Sequence, residues 1–489
     1  MNDRLCEPGT SRPAGPRRRF RRTLGRVLVA TLAGGAAAGV VLMLLPQERP
    51  QPAVPPAAGP PRQAPALTAV TYGVPAALPG LTALVARQEQ RVRAQPRDAR
   101  AWAVLGAAYA ERGRRTGDAA DYPRADRALR TSLEVRGTRN TEALDGLAAL
   151  ALARRDFPAA KRYGEEALKA APKRWSAYPP LIDAYTGLGD HKAAQQALDK
   201  LLGLRTGAQE RPAVMARAAA VYRDRGWRED AVAQLTDAAA AARTPAERAA
   251  WLTGVGQLAW ERGDLPDALR HFEAALRLDP EQSAASVGRA RTLAALGRTT
   301  EALSGYRAAL ARQPDPAVLL ELGELYESRG QERLAAEQYA RLRTAVEQAV
   351  AGGVDEELLI GRFEADHGEA PDAVERLRDE WRRQPGTEVA DALGWALHRA
   401  GEDSEALSYA TAATDKTKGG GVRSALYAFH RGMIEGELDR YGPARRHLEE
   451  ALRINPYFSP LGVPAARRAL RTLGEPPPGE PPGEEGWEG

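Results

Sequence analysis

A repeat of about 34 residues runs through most of this sequence and constrains its fold more than any other feature. One pattern of small residues, an aromatic residue and a closing proline recurs: Gly256, Ala268, Phe272, Ala275 and Pro280 are followed 34 residues later by Ala290, Ala302, Tyr306, Ala309 and Pro314. A fixed period of this length is typical of a chain that stacks copies of one small unit. Ten units are countable, starting near residues 99, 141, 175, 212, 249, 283, 316, 354, 387 and 425.

Composition indicates that each unit is helical. Ala, Leu, Arg and Glu are abundant, whereas the chain has only four Ile and six Phe for the interior of a sheet. Because the abundant residues are strong helix formers and the scarce ones favour strands, we predict an all-α fold.

The repeated positions have a physical explanation in a stack of helix pairs. Gly and Ala are needed where two helices cross closely, and proline ends a helix because it lacks the N–H donor. We therefore expect the second helix of a pair to end just before each of five prolines, and a helix at 81–95 and another at 464–473 to cap the stack. The five prolines are Pro172, Pro280, Pro314, Pro385 and Pro456.

Two stretches carry a resemblance to a known family. Trp102-x2-Leu105-Gly106-x2-Tyr109 opens the first unit, and Leu322-Gly323-x2-Tyr326 restates that pattern. The sequence in this way resembles the tetratricopeptide repeat (TPR) family. The resemblance implies a right-handed superhelical solenoid of about ten helix-turn-helix repeats over residues 80–474, which binds proteins or peptides and is not an enzyme.

The N-terminal region predicts a single membrane span. Residues 27–45 carry no charge, and at about 1.5 Å per residue they reach about 28 Å, enough to cross a hydrocarbon core. Residues 1–26 hold eight arginines and form a basic tail, which the positive-inside rule places in the cytoplasm. We therefore expect a single-pass protein of the cell membrane whose repeat domain is extracytoplasmic. A cleaved signal peptide is the alternative.

Three further features accompany this span. Gly35 and Gly39 form a G-x-x-x-G spacing that would allow weak self-association of two spans. Residues 46–79 are rich in Pro and Ala and are expected to be an extended spacer. Residues 475–489 repeat Pro, Gly and Glu and are expected to be a disordered acidic tail.

Charge and side-chain inventory argue against several classes of function. The net charge is +5, but residues 1–26 alone contribute +6, so the remainder is nearly neutral and we expect no nucleic acid partner. A single cysteine, Cys6, excludes an intrachain disulfide, and the six histidines show no paired metal-ligand spacing. No phosphate-binding loop or nucleophile motif is present. We therefore predict no catalytic residues, no cofactor and no metal.

The binding surface expected from the resemblance is the groove lined by the first helix of each unit. Asn140 and Asn455 lie at opposite ends of the array, which disfavours a clamp of Lys and Asn side chains for a partner's C-terminal carboxylate. An aromatic peptide-binding patch is the site hypothesis, and packing of the same residues in the core is its alternative. The patch would comprise Trp260, Trp395, His398, Phe429 and Met433.

Two functional interpretations remain open from sequence. The first is a membrane-anchored scaffold that binds proteins or peptides at the outer face of the cytoplasmic membrane. The second is an assembly or regulatory subunit of an envelope enzyme complex, of the cell-wall or cytochrome c maturation type.

Overall fold

The structure is a computed structural model that describes residues 63–137, 139–415 and 421–474. Its described residues form α-helices, one short 3-10 turn and no strand, which confirms the all-α prediction. The helices are α1 (Gln63–Tyr72), α2 (Leu78–Ala94), α3 (Ala99–Thr116), α4 (Asp121–Arg136), α5 (Thr141–Ala153), α6 (Phe157–Ala170), α7 (Tyr178–Gly187), α8 (His191–Leu202), α9 (Arg211–Asp224), α10 (Arg228–Ala241), α11 (Pro245–Glu261), α12 (Leu265–Leu278), α13 (Ser283–Ala295), α14 (Thr299–Arg312), α15 (Pro316–Glu327), α16 (Glu332–Ala351), α17 (Glu357–His367), α18 (Ala370–Arg383), α19 (Thr387–Arg399), α20 (Asp403–Thr414), α21 (Ala425–Glu437), α22 (Tyr441–Ile454) and α23 (Gly462–Thr472).

Helices α3 to α22 pair into ten helix-turn-helix units that stack as a solenoid. Unit 1 is α3 with α4, unit 2 is α5 with α6, and the series continues to unit 10, which is α21 with α22. The two helices of each unit pack against each other, and each unit packs against the next. Helices α2 and α23 lie at the two ends of the series, where capping helices were predicted.

The sequence explains where these helices begin and end. Aspartates in the turns accept hydrogen bonds from backbone N–H groups of the helix that follows; Asp156, for example, accepts from Ala159 and Asp264 from Asp267. Such N-caps satisfy donors that the first turn of a helix leaves free. Second helices end two residues before each of the five prolines, at Ala170, Leu278, Arg312, Arg383 and Ile454.

Helix crossings are close wherever the repeat places a small residue. Phe272 of α12 lies between Gly256 of α11 and Gly288 of α13, and a Cβ atom added at Gly256 would lie 2.9 Å from the ring. At Gly323 of α15 an added Cβ would overlap the ring of Tyr339 in α16. Aromatic rings therefore occupy the space that the missing side chains leave.

The spacer expected over residues 46–79 differs in its last seventeen residues, 63–79. Residues 63–72 form helix α1, and Ala69 shares one buried apolar cluster with Ala213 of unit 4 and Trp251 of unit 5. The small apolar residues that suggested an extended chain instead pack against these units, because alanine side chains allow close packing. This segment is therefore part of the folded body.

Unit 1 is longer than the 34-residue period requires, by about seven residues around 114–120. Helix α3 continues to Thr116, so the first of these residues are helical and only the remainder forms the turn. The added helical turn carries Arg115 into a buried position.

The array coils until its first half touches its second half. The turns between the two helices of units 1 to 5 lie against the junctions that follow units 5 to 10. We call this line of contact the seam. Its side-chain contacts include Arg115 with Asp279, Arg155 with Glu356, Phe157 with Gln384, His191 with Thr387, Arg228 with Arg423, and Trp260 with Asn455.

Several predictions fall on other parts of the chain. The basic tail, the span at residues 27–45 with Gly35 and Gly39, the first part of the spacer and the acidic tail at residues 475–489 all lie outside the described residues. Within the described residues, no helix combines the length and apolar character needed to cross a bilayer.

Candidate binding surface on the first helices

Polar side chains join the first helices of successive units from unit 3 to unit 10. Arg223 Nη2 in α9 lies 2.7 Å from Glu261 Oε1 in α11, and Arg291 Nη1 in α13 donates to Gln257 Oε1 at 3.2 Å. We call this series the polar ladder. Its pairs are Asp183 with Arg217, Arg223 with Glu261, Gln257 and Glu321 with Arg291, Glu324 with His367, Asp366 with Trp395, and Asp391 with His430.

The ladder faces the interior of the coil. Arg223 and Asp224 at the end of α9 in unit 4 interact electrostatically with Tyr427 of unit 10 and Glu388 of unit 9, respectively. First helices that are five or six units apart therefore share one inner surface. Because the seam brings those units together, this surface continues from the first half of the array into the second.

Two neighbouring carboxyl groups on this inner surface have pKa values shifted in opposite directions. Burial raises the pKa of Asp224 to about 6, and Glu388 adds to the rise while Arg223 opposes it. Burial also acts to raise the pKa of Glu261, but the adjacent Arg223 guanidinium lowers it below its ordinary value. A carboxyl with a raised pKa and a paired arginine thus lie side by side near the end of α9.

His367 ends α17 in a mostly buried position beside two carboxylates. Its Nδ1 lies 3.4 Å from Glu327 Oε2 and its Nε2 lies 3.9 Å from Glu324 Oε1. Burial disfavours the charged imidazole, yet Glu324 and Glu327 raise the pKa of His367 above its ordinary value. The Tyr339 ring packs against the imidazole with centroids 4.6 Å apart. Protonation of this histidine therefore strengthens its contact with unit 7.

The five residues of the predicted aromatic patch do not form an open groove. Trp395 is 9% exposed and Phe429 4%, and both belong to the apolar core of units 8 to 10. Met433 packs against that same core, and His398 bonds to Asp403 at 2.5 Å. Trp260 is 8% exposed and lies in a different apolar cluster. This burial fits the core alternative, and a role for these residues in peptide binding stays a prediction.

Trp395 is nevertheless tied to the ladder by its polar edge. Its ring stacks on His430 with centroids 4.2 Å apart, and its Nε1 donates to Asp366 Oδ1 at 3.0 Å. A tryptophan of this kind supplies apolar area to the core and one hydrogen bond to the polar surface.

A cleft of about 1040 Å³ opens at the seam between the turn of unit 2 and units 7 and 8. Carboxylates predominate in its lining, which includes Asp156, Glu357, Glu364 and Asp372, with Arg376 bonded to Glu364 at 2.8 Å. Across the described residues no group of three or more His, Cys, Asp or Glu side chains is placed to hold a metal ion.

Sequence reasoning missed the residues that build the seam, although they carry a pattern. Asp279, Gln313, Gln384 and Asn455 each directly precede a junction proline after units 5, 6, 8 and 10, and each reaches the turn of an earlier unit. In the first half the corresponding residue before Pro172 is Ala171. A polar residue before proline could therefore have pointed to the contact.

Comparison with known proteins supports the repeat assignment. A family model described as "Tetratricopeptide repeat" matches residues 216–281, 254–315 and 287–350. The sequence matches no curated protein.

Several solved structures resemble this chain at low sequence identity. Human IFIT1, solved as a dimer with PPP-AAAA, is 19% identical with a TM-score of 0.45, and the match covers 64% of this chain and 71% of that one. PilF of Pseudomonas aeruginosa is 21% identical with a TM-score of 0.34, covering 42% and 90%. A thermophilic TPR protein of Thermus thermophilus is 22% identical with a TM-score of 0.32, covering 36% and 92%.

The family match covers units 5 and 6 entirely and extends into units 4 and 7, where the helix pairs, the small residues at the crossings and the closing prolines have just been described. Residues 216–350 of this chain are therefore tetratricopeptide repeats, a fold that is typically a non-catalytic scaffold and generally mediates protein–protein interaction.

Proposed function

We propose that this protein is a membrane-anchored scaffold that binds a protein or peptide along the inner surface of its coil, at the outer face of the cytoplasmic membrane. The polar ladder is the observation that supports the binding role. It offers donors and acceptors at regular intervals along the first helices, and an extended peptide presents backbone donors and acceptors at regular intervals in the same way.

The anchor is proposed from the sequence of residues 27–45 and the arginines that precede them. An anchor of this orientation places the repeats outside the cytoplasm. A reporter fused after Gly489 should then be active only on the outer side of the membrane, and removal of residues 1–45 should release the protein into the soluble fraction. Reporter activity in the cytoplasm would contradict the orientation.

The binding surface can be tested by site-specific crosslinking in the full-length protein. A photoreactive amino acid at Glu388, which is exposed on the inner surface, should crosslink to a partner. The same group at Arg333 on the second helix of unit 7, whose side chain is 82% exposed, is the control for the outer surface. Crosslinks at Arg333 and none at Glu388 would move the binding surface to the outside of the coil.

Two arginine variants test whether crosslinking from Glu388 depends on the polar ladder. Arg223→Ala and Arg291→Ala each leave a ladder carboxylate, Glu261 or Glu321, without its arginine. If the ladder binds the partner, both variants should reduce crosslinking from Glu388 while the helical content stays that of the wild type. Undiminished crosslinking in both would separate the ladder from binding.

A further inference from the structure

The seam is built almost entirely from polar and backbone contacts. Arg154 O accepts from Asp355 N at 2.8 Å, Trp260 O accepts from Asn455 Nδ2 at 2.9 Å, and His191 Nε2 lies 3.0 Å from Thr387 Oγ1. Within the described residues, the large apolar clusters of units 6 to 10 join neighbouring units and do not cross the seam. Val354, in the junction after unit 7, is an exception because it packs against the apolar cluster formed mainly by units 1 and 2.

Glycines at one position of the repeat allow the seam to close. Gly189, Gly226 and Gly263 have φ values of +71°, +77° and +74° in the turns of units 3, 4 and 5. A Cβ at Gly189 would lie 2.7 Å from the carbonyl oxygen of Pro385, and one at Gly226 would lie 2.7 Å from that of Gly421. At these positions the backbone of one half of the coil therefore touches the other.

The same glycine position is open where no second layer of units covers it. Gly297, Gly330 and Gly401 have φ values of +76°, +67° and +81° in the turns of units 6, 7 and 9, and an added Cβ would meet no atom within 4 Å. The positive φ is thus a property of the turn, whereas the close approach is a property of the seam.

Units 2 and 10 carry a non-glycine residue at this position of the turn. Arg155 and Asp439 have φ values of +59° and +58°, a conformation that L side chains rarely adopt. Arg155 also contributes to the seam, because its Nη1 lies 3.1 Å from Glu356 Oε2 in the opposite half of the coil.

We propose that the seam is a releasable latch. The coil can pass from the closed form, with both halves in contact, to an open form in which the seam contacts are broken and the packing between neighbouring units remains. In a solenoid the curvature is the sum of small rotations between neighbours, so slight adjustments at several interfaces separate the halves without unfolding any unit. This inference concerns the chain alone and does not depend on a partner.

Spin-label distances test the latch directly in the full-length protein. With Cys6→Ser as background, labels at Lys192→Cys and Arg382→Cys lie on opposite sides of the seam, and labels at Lys192→Cys and Asp230→Cys lie within the first half. The closed coil predicts one short, narrow distance for the first pair. A long or broad distribution in the wild type would overturn the closed form.

Matched glycine variants then isolate the seam. Gly189→Ala, Gly226→Ala and Gly263→Ala combined should lengthen the distance across the seam and leave the distance within the first half unchanged. Gly297→Ala, Gly330→Ala and Gly401→Ala carry the same backbone penalty and should leave both distances unchanged. Two results for the first triple variant would overturn the latch. One is an unchanged distance across the seam. The other is loss of the defined distance within the first half as well as of the one across the seam, because the seam would then be inseparable from folding.

Hydrogen exchange gives a second measurement on the unaltered chain. The N–H groups of Phe157 and Asp355 donate across the seam, to Gln384 Oε1 at 2.9 Å and to Arg154 O at 2.8 Å. Release without unfolding predicts that these two amides exchange faster than amides in the middle of α6 and α18. Equal protection of all of them would show that the seam opens only when the units unfold.

Discussion

Arg115 donates a hydrogen bond of 2.7 Å from Nη2 to Oδ2 of Asp279, although 164 residues separate the two in the chain. Their side chains are 4% and 9% exposed, and Nη1 of Arg115 also donates to Gln282. A buried ion pair between units 1 and 5 links parts of a repeat array that would otherwise interact only through the units between them.

The first prediction concerns this ion pair. Asp279→Leu leaves the Arg115 guanidinium buried without a carboxylate and should lower the free energy of unfolding by about 3 to 5 kcal/mol. Arg115→Met combined with Asp279→Leu should cost less than the two single changes added together, because no unpaired charge remains. Denaturant unfolding of the four proteins in the cycle measures the coupling.

An exposed pair provides the control for that cycle. Arg298 and Glu301 in unit 6 pair at 2.7 Å with side chains 45% and 49% exposed, so Arg298→Met should leave the unfolding midpoint nearly unchanged. Strict additivity of the Arg115 and Asp279 changes would mean that the buried pair does not couple units 1 and 5.

The second prediction concerns Asp224 and pH. Its pKa is raised to about 6 in the folded protein, so the folded state binds its proton more tightly than the unfolded state does. The resulting stability is present below the ordinary pKa of an aspartate and is lost as the pH rises through about 6. At pH 7 Asp224→Asn should therefore stabilise the fold, by up to about 3 kcal/mol at about 1.4 kcal/mol per pKa unit.

Thermal unfolding between pH 4 and pH 8 tests this prediction. The gain from Asp224→Asn should be nearly absent at pH 4, grow as the pH rises towards about 6, and stay constant above that. Asp237→Asn, an exposed aspartate on the second helix of the same unit, is the matched control. A gain of the same size at every pH would assign the effect to something other than this titration.

The third prediction concerns the helix crossings. Gly323→Leu forces a side chain into the space of the Tyr339 ring. Ala302→Leu adds a larger side chain at a fully buried position in α14. Overpacking of this kind should cost about 1 to 3 kcal/mol in the free energy of unfolding. Gly436→Leu, on a first helix but with open space at its Cβ, is the control and should have little effect. Unchanged stability of both buried-site variants would show that the repeat register is wrong.

The fourth prediction concerns the aromatic residues of units 9 and 10. Because Trp395 and Phe429 are buried in the core, changing either to Ala should lower the free energy of unfolding by about 3 to 5 kcal/mol. Trp395→Phe keeps an aromatic ring in the core and loses a smaller part of the buried area together with the hydrogen bond to Asp366, so it should cost less than Trp395→Ala. Chemical denaturation and crosslinking from Glu388 should be measured together. An Ala variant that folds like the wild type but loses its partner would establish the aromatic patch as a binding site.

The sequence by itself determined everything that depends on neighbouring residues and neighbouring units. Helix formers and the 34-residue period specify the helix pairs, and Pro280 or Pro314 ends a helix because of its own missing N–H. Gly256 and Gly323 mark crossings because only a missing side chain admits the facing ring. These are local effects, and a pattern of residues is enough to reveal them.

Only the tertiary structure decided which surfaces the coil buries. The contact of Arg115 with Asp279 depends on the summed curvature of several units, and no residue pattern encodes that sum. For the same reason the sequence could not tell whether Trp395 faces a groove or a neighbour, nor that the alanines of residues 63–72 meet units 4 and 5. Local chemistry sets the units, and accumulated geometry sets what they touch.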